Sequence, residues 1–177
     1  MGKNGKIIWA IVIAAVALLV ILPYLGEIAR EHTKTADVPT PRDLRLTDPD
    51  LFYAASSWSG MCSNEKGEEG GCIDYFYLYN SGKFIHEFEW QGSDGRISTS
   101  SSEKMLGEKA VAEIVKQIKD AKLLTRDCPA LEIMDAGWSY RINLDGVKKS
   151  FDNPPEDCAV ELNKALDSAE AAPDNNK

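Results

Sequence analysis

The side chains whose types and spacing could support chemistry are four cysteines, two histidines, a short run of acids and a run of serines. The cysteines are Cys62, Cys72, Cys128 and Cys158. A zinc site needs close ligand pairs such as C-x-x-C with histidines at matching spacing. Here nine residues separate the nearest two cysteines, and the histidines are His32 and His86. An even number of cysteines in an exported domain points instead to two disulfides. Of the three connectivities, the spacing favours Cys62 with Cys72, closing a glycine-rich loop. It also favours Cys128 with Cys158, fastening the end of one helix to the start of the next, although sequence alone leaves the pairing open. No cofactor and no metal are expected.

His86 could serve as a general base or a ligand. No Ser, Cys or Asp pattern near it supplies a partner, so it reads as a packed, hydrogen-bonded histidine of the core or a sheet edge. His32 sits in a charged, proline-spaced segment and reads as solvated. The serines between positions 93 and 102 lie in no G-x-S-x-G or S-x-x-K frame. Glu65, Glu68 and Glu69 lack the Asp-rich spacing and fixed glycine of a calcium loop. Tyr75, Tyr77 and Tyr79 fall on one face of a strand-like run. They could form a protein contact surface, since tyrosine gives large area at low entropy cost, or simply the outer side of a sheet.

The elements that must hold these residues follow from periodicity. Residues 51–58 read as a first strand and 59–71, with four glycines, as a loop. Residues 73–79 alternate, Asn80-Ser81-Gly82 turns the chain, and 83–90 return, with Phe84, His86, Phe88 and Trp90 on the side expected to be buried. Residues 91–102 read as a polar loop with a short strand around Ile97. From 107 to 123 the apolar residues recur three and four apart, which predicts an amphipathic helix. Residues 125–135 connect onward, with a short irregular strand at 131–134. A second hairpin follows, 137–144 and 147–151 about Asp145-Gly146. Asn153, Pro154 and Glu156 predict a capped closing helix with Ala159, Leu162, Ala165, Leu166 and Ala169 on its apolar stripe. Residues 172–177 are expected to be a disordered tail. The class is α+β, in the order β-ββ-α-ββ-α: a small, mainly antiparallel sheet with two helices on one face, stapled by disulfides.

Ahead of this domain, residues 7–25 are nineteen residues without a charge. As a helix they span roughly 28 Å, about the hydrocarbon thickness of a bilayer. A cleaved signal peptide would have a shorter apolar run and an A-x-A-like site after it, and the residues following Pro23 offer none. The expectation is an uncleaved single-pass anchor, with Lys3 and Lys6 keeping residues 1–6 in the cytoplasm and the large domain periplasmic or extracellular. Residues 26–50 then form a stalk, and 51–171 the folded domain. With Lys3 and Lys6 set aside, 18 Lys and Arg stand against 28 Asp and Glu, a formal charge of −10. That excludes a nucleic-acid binder, which needs a basic footprint. The partners implied are a lipid bilayer, through residues 7–25, and a protein.

From Tyr75 onward the chain resembles small bacterial domains of unknown function and the emfourin-type inhibitors of thermolysin-like metalloproteases. The resemblance rests on the hairpin YFYLYNSGKFIHEFEW, the helix ending in LL, the strand YRINLDGVKKSF and the proline-led closing helix. It spans roughly 95 residues at the level of pattern and carries over no functional residue. It implies an α+β fold and protease inhibition.

Three classes of function remain: a non-enzymatic, membrane-tethered protein-binding domain serving as an accessory or assembly subunit of an envelope or membrane complex; a tethered protease inhibitor; and an enzyme. The first is the expectation. N-terminal sequencing of the protein from membranes should find residue 1 or 2; a mature terminus near Glu27 would rule out the anchor.

Overall fold

A computed structural model describes residues 48–132 and 135–176. Contacts divide the chain after Thr35, and every described residue belongs to the second part, Ala36–Lys177. The candidate anchor at 7–25 and His32 lie outside the described residues. Among the described residues no helix is long and apolar enough to cross a membrane.

The domain is built on one six-stranded antiparallel sheet: β1 (Leu51–Ser63), β2 (Glu69–Tyr79), β3 (Lys83–Gly92), β4 (Ile97–Met105), β5 (Ala136–Leu144) and β6 (Val147–Asp152). Two helices, α1 (Glu108–Asp120) and α2 (Glu156–Ala171), complete it. The spatial order is β4-β3-β2-β1-β5-β6, so the first strand lies in the interior with β2 on one side and β5 on the other. The α+β class, both hairpins, both helices and both disulfides agree with the sequence reading.

The core lies between the sheet and the helices. Phe52, Tyr53, Phe76, Leu78, Phe84, Tyr140, Ile142 and Phe151 of the sheet pack against Ile114 and Ile118 of α1 and Leu162, Ala165, Leu166 and Ala169 of α2. Tyr53 and Tyr140 also tie the layers by hydrogen bonds. The Tyr53 hydroxyl donates to Leu162 O at 2.9 Å, and the Tyr140 hydroxyl to Asn163 Oδ1 at 2.8 Å. The Cys128–Cys158 disulfide fastens the connector after α1 to the first turn of α2.

Four details differ from the sequence reading. First, the region expected to be a loop from 59 to 71 is mostly strand. β1 runs to Ser63 and β2 begins at Glu69, with Ser59 opposite Cys72 and Cys62 opposite Gly70. The Cys62–Cys72 disulfide therefore crosses two paired strands. The tip shrinks to a few residues because Asn64 Oδ1 accepts from the backbone N–H of both Lys66 and Glu68. Second, residues 97–105 form a full strand, where only a short one around Ile97 was expected. Third, Asn153 does not cap α2. Its backbone is left-handed at φ 45°, its Oδ1 accepts from Trp138 N–H, and its N–H donates to Trp138 O. Pro155 takes the cap position, and Pro154 before it is barred from helical backbone by the ring that follows. Fourth, residues 172–176 return to the sheet, where Asn175 N–H donates to Met105 O and Asp174 Oδ1 accepts from Met105 N–H. Leu131 and Glu132 are irregular, and the rest of the strand expected at 131–134 lies outside the described residues.

Burial holds the Tyr53 phenol well above its usual value, and it raises Tyr140 despite the opposing bond to Asn163. Both stay protonated in the fold, whereas an unfolded tyrosine ionises near pH ~10. The stability they contribute is complete below that pH and declines above it. Circular dichroism should show alkaline unfolding setting in above about pH 10, blunted in Tyr53→Phe. A fold unchanged well beyond that pH would contradict this.

Candidate functional site

The helices cover only part of the sheet face they pack on. Side chains on this face form rows across the strands, fixed by the register. One row runs Ser102, His86, Phe76, Ala55, Tyr140, Phe151, and the next runs Ser100, Phe88, Asp74, Ser57, Trp138. The first row is roofed at its centre, where Ala55 and Tyr140 are fully buried. In the second, Phe88, Asp74, Ser57 and Trp138 are half-buried and Ser100 is exposed, so they make an open shelf beyond the helices.

His86 stands at the margin of that shelf. Its ring stacks on Phe76 at 4.4 Å between centroids, and Nε2 lies 2.7 Å from Asp74 Oδ1 on the neighbouring strand. The other oxygen of Asp74 accepts from Ser57 Oγ at 3.4 Å. The three residues thus span β1, β2 and β3, with the carboxylate in the middle. A Ser-His-Asp relay needs the histidine between hydroxyl and carboxylate, so that it can take the hydroxyl proton. Here Ser57 and His86 both face the carboxylate. The arrangement ties three strands together and leaves no activated nucleophile. The aromatic series continues from Phe76 to Trp138 and Tyr140, with centroids 6.4 and 5.7 Å apart. A cavity of about 330 Å³ beside His86 is lined by Phe84, Lys104, Glu170 and Asp174, among others.

Sequence reasoning placed His86 correctly on the Phe84 face and missed Asp74 as its partner. The signal was present in the hairpin. The turn at 80–82 sets Phe76 opposite His86, which puts Asp74 two residues along on the same face and within diagonal reach.

The other residues singled out serve the frame. Glu68 accepts from Asn64 Nδ2 at 2.8 Å and lies 3.5 Å from Arg96 Nη2. The bond from Asn64, then the charge of Arg96, holds its carboxyl below the usual value. Among the described residues no group of three His, Cys, Asp or Glu side chains is placed to hold a metal ion. Tyr75, Tyr77 and Tyr79 lie on the opposite face of the sheet. There Tyr75 is fully buried with Leu51, Ala54 and Ile73, and Tyr77 and Tyr79 are half-buried against them.

The feature that sequence reasoning anticipated only as a short strand around Ile97 is the full edge strand β4. At its two ends Leu106 N–H donates to Gly82 O, and Gly92 N–H donates to Arg96 O. Antiparallel pairing alternates, so the even-numbered residues between them bond to β3 while Ile97, Thr99, Ser101 and Glu103 turn their N–H and C=O outward. Met105, the next odd residue, confirms the phase by bonding outward to residues 174 and 175. From Ile97 to Ser102 the edge carries no charge and no proline, the usual devices that block strand addition, and every side chain there is exposed.

No family model matches the chain, and no curated protein matches it.

The His86–Asp74 contact is about one-third exposed on both sides, at 34% and 28%. A double-mutant cycle with His86→Ala and Asp74→Ala should give a coupling of about 0.5–1 kcal/mol in urea unfolding. A coupling near zero would mean that the two side chains do not hold each other.

Proposed function

We propose that this protein is a non-enzymatic protein-binding domain, tethered to a membrane by residues 7–25, that engages its partner by strand addition at β4. Its place is that of an accessory or assembly subunit of an envelope or membrane complex, with residues 1–6 cytoplasmic and the domain on the far side.

The observation that carries the reading is the outward backbone of Ile97, Thr99, Ser101 and Glu103. Eight main-chain donors and acceptors stand on an exposed, uncharged stretch of edge. Strand addition draws affinity from such groups and specificity from neighbouring side chains. The adjoining shelf supplies those in Phe88 and the hydroxyls of Ser98, Ser100 and Ser102. The arrangement at the other edge differs. There β6 is six residues long and carries Lys148 and Lys149, which discourage pairing. Two disulfides and an acidic, soluble surface suit a domain working outside the cytoplasm.

The test exploits the alternation. Proline at Thr99 or Ser101 removes an outward N–H and leaves the β3 ladder intact, because those donors do not bond to β3. In pull-downs from detergent-solubilised membranes, the wild-type chain should retain a stable partner. Thr99→Pro with Ser101→Pro should retain at least tenfold less at unchanged melting temperature. Equal capture by both proteins would contradict the edge as the binding site. Capture of a thermolysin-like metalloprotease would support protease inhibition instead.

A further inference from the structure

The two disulfides differ in what surrounds them and in what they hold. Cys128–Cys158 joins the connector after α1 to the first turn of α2, where Cys158 is 1% exposed and the half-buried Cys128 packs against the main core. Opening it would release segments that no ladder joins. Cys62–Cys72 lies near the β1–β2 tip, and both of its cysteines are only half-buried. It links strands that are already paired, with Ser59 opposite Cys72 and Cys62 opposite Gly70. The register shift between those pairs leaves Met61 out of the β2 ladder and 88% exposed. Beside Cys62 opens a cavity of about 420 Å³, walled by Gly60, Met61, Ser63, Glu69, Gly70 and Ser93. Two of those residues are glycines, which put no side chain between solvent and the sulfur. Cys72 is placed differently, in the sheet between Ser59 of β1 and Trp90 of β3, whose side chain is 3% exposed.

We propose that Cys62–Cys72 is a site of thiol–disulfide exchange, opened by a protein dithiol whose attacking thiolate enters through this cavity and takes Cys62. The domain is the substrate of the exchange, and the proposal does not depend on strand addition at β4. Exchange requires a thiolate to reach one sulfur of the bond, so access decides which disulfide reacts and at which end. The cavity gives that access at Cys62. The fold tolerates the opening, because backbone pairing holds β1 to β2 on both sides of the bond and β2 to β3 beyond it. The product is also accommodated. Cys62 Sγ lies 3.4 Å from Gly70 O, so the thiol freed by reduction has an acceptor already in place.

The chemistry runs in two steps. The attacking thiolate forms a new S–S bond to Cys62 Sγ as the bond from Cys62 to Cys72 breaks, and Cys72 leaves as a thiolate that takes a proton from water. The second thiol of the dithiol, deprotonated, then attacks the dithiol's own sulfur in the mixed disulfide. That closes the dithiol into a disulfide and releases Cys62 as a thiolate, which is protonated in turn. The protein disulfide is reduced and the dithiol is oxidised, with no other reactant consumed.

The test uses the oxidised full chain purified in detergent, with two uncharged probes, dithiothreitol and 2-mercaptoethanol. Under native conditions dithiothreitol should open Cys62–Cys72 at least tenfold faster than Cys128–Cys158, read by alkylation of the freed thiols and peptide mapping. Sub-denaturing urea should leave that rate unchanged, and circular dichroism should keep its sheet signal after the first bond opens. With 2-mercaptoethanol and a rapid acid quench, the mixed disulfide should fall on Cys62 in at least tenfold excess over Cys72. Equal rates for the two bonds would overturn the proposal. So would opening of Cys62–Cys72 that urea accelerates or that abolishes the sheet signal, because the bond would then yield only with the fold. A mixed disulfide on Cys72 would overturn the cavity as the point of entry.

Discussion

The rest of this structure depends on the position of β1. It is the first strand among the described residues and an interior strand of the sheet, hydrogen-bonded to β2 on one side and β5 on the other. Its thirteen residues, LFYAASSWSGMCS, carry no charge, and its first six are buried. From Tyr53 to Ser59 the strand is paired on both sides, so the backbone groups there are satisfied within the sheet. Satisfying them recruits the segment far along the chain, β5, to pair with it. The distant pairing in turn sets Tyr140 and Trp138 beside Ala55 and Ser57, and so sets the shelf on which His86 and Asp74 meet.

The same constraint sends the molecule's unsatisfied pairing capacity outward. With β1 and β2 at the centre, the hairpins on either side leave β4 and β6 as edges. The C-terminal residues satisfy the outward backbone at Met105 and stop there. Lys104 helps to fix that return, donating to the carbonyls of Glu170 and Ala172 at the end of α2, and burial lowers its pKa from the usual value. The uncovered length from Ile97 to Glu103 is therefore bounded by the β3–β4 turn at one end and by the tail at the other. The proposed binding edge is a consequence of topology as much as of the sequence of β4 itself.

Much of this was legible in the sequence because burial on one face leaves a period. The alternation of 73–79 and 83–90, the Asp145-Gly146 turn and the three-and-four spacing of α1 each reported an apolar face against a core. The disulfide pairing was legible for a different reason: the cysteines bracket a turn and a helix start. Of β4 only a short strand around Ile97 was legible, because ISTSSSEKM is exposed almost throughout and a strand with polar residues on both sides has no period to read. The Asn153 cap misled because the local motif was competing with a tertiary bond. Asn153 pairs with Trp138 of β5, and two prolines move the helix start past it. The His86–Asp74 contact required register, which periodicity alone does not supply.

The central claim is that β4 offers an open row of backbone groups for strand addition, and amide hydrogen exchange resolved by NMR tests it most directly. In the isolated chain the amides of Ile97, Thr99, Ser101 and Glu103 should exchange quickly and those of Ser98, Ser100 and Ser102 slowly. On adding a partner purified from membranes, the odd-numbered set alone should gain protection. Slow exchange at the odd positions in the isolated chain, or no gain with the partner bound, would contradict the account.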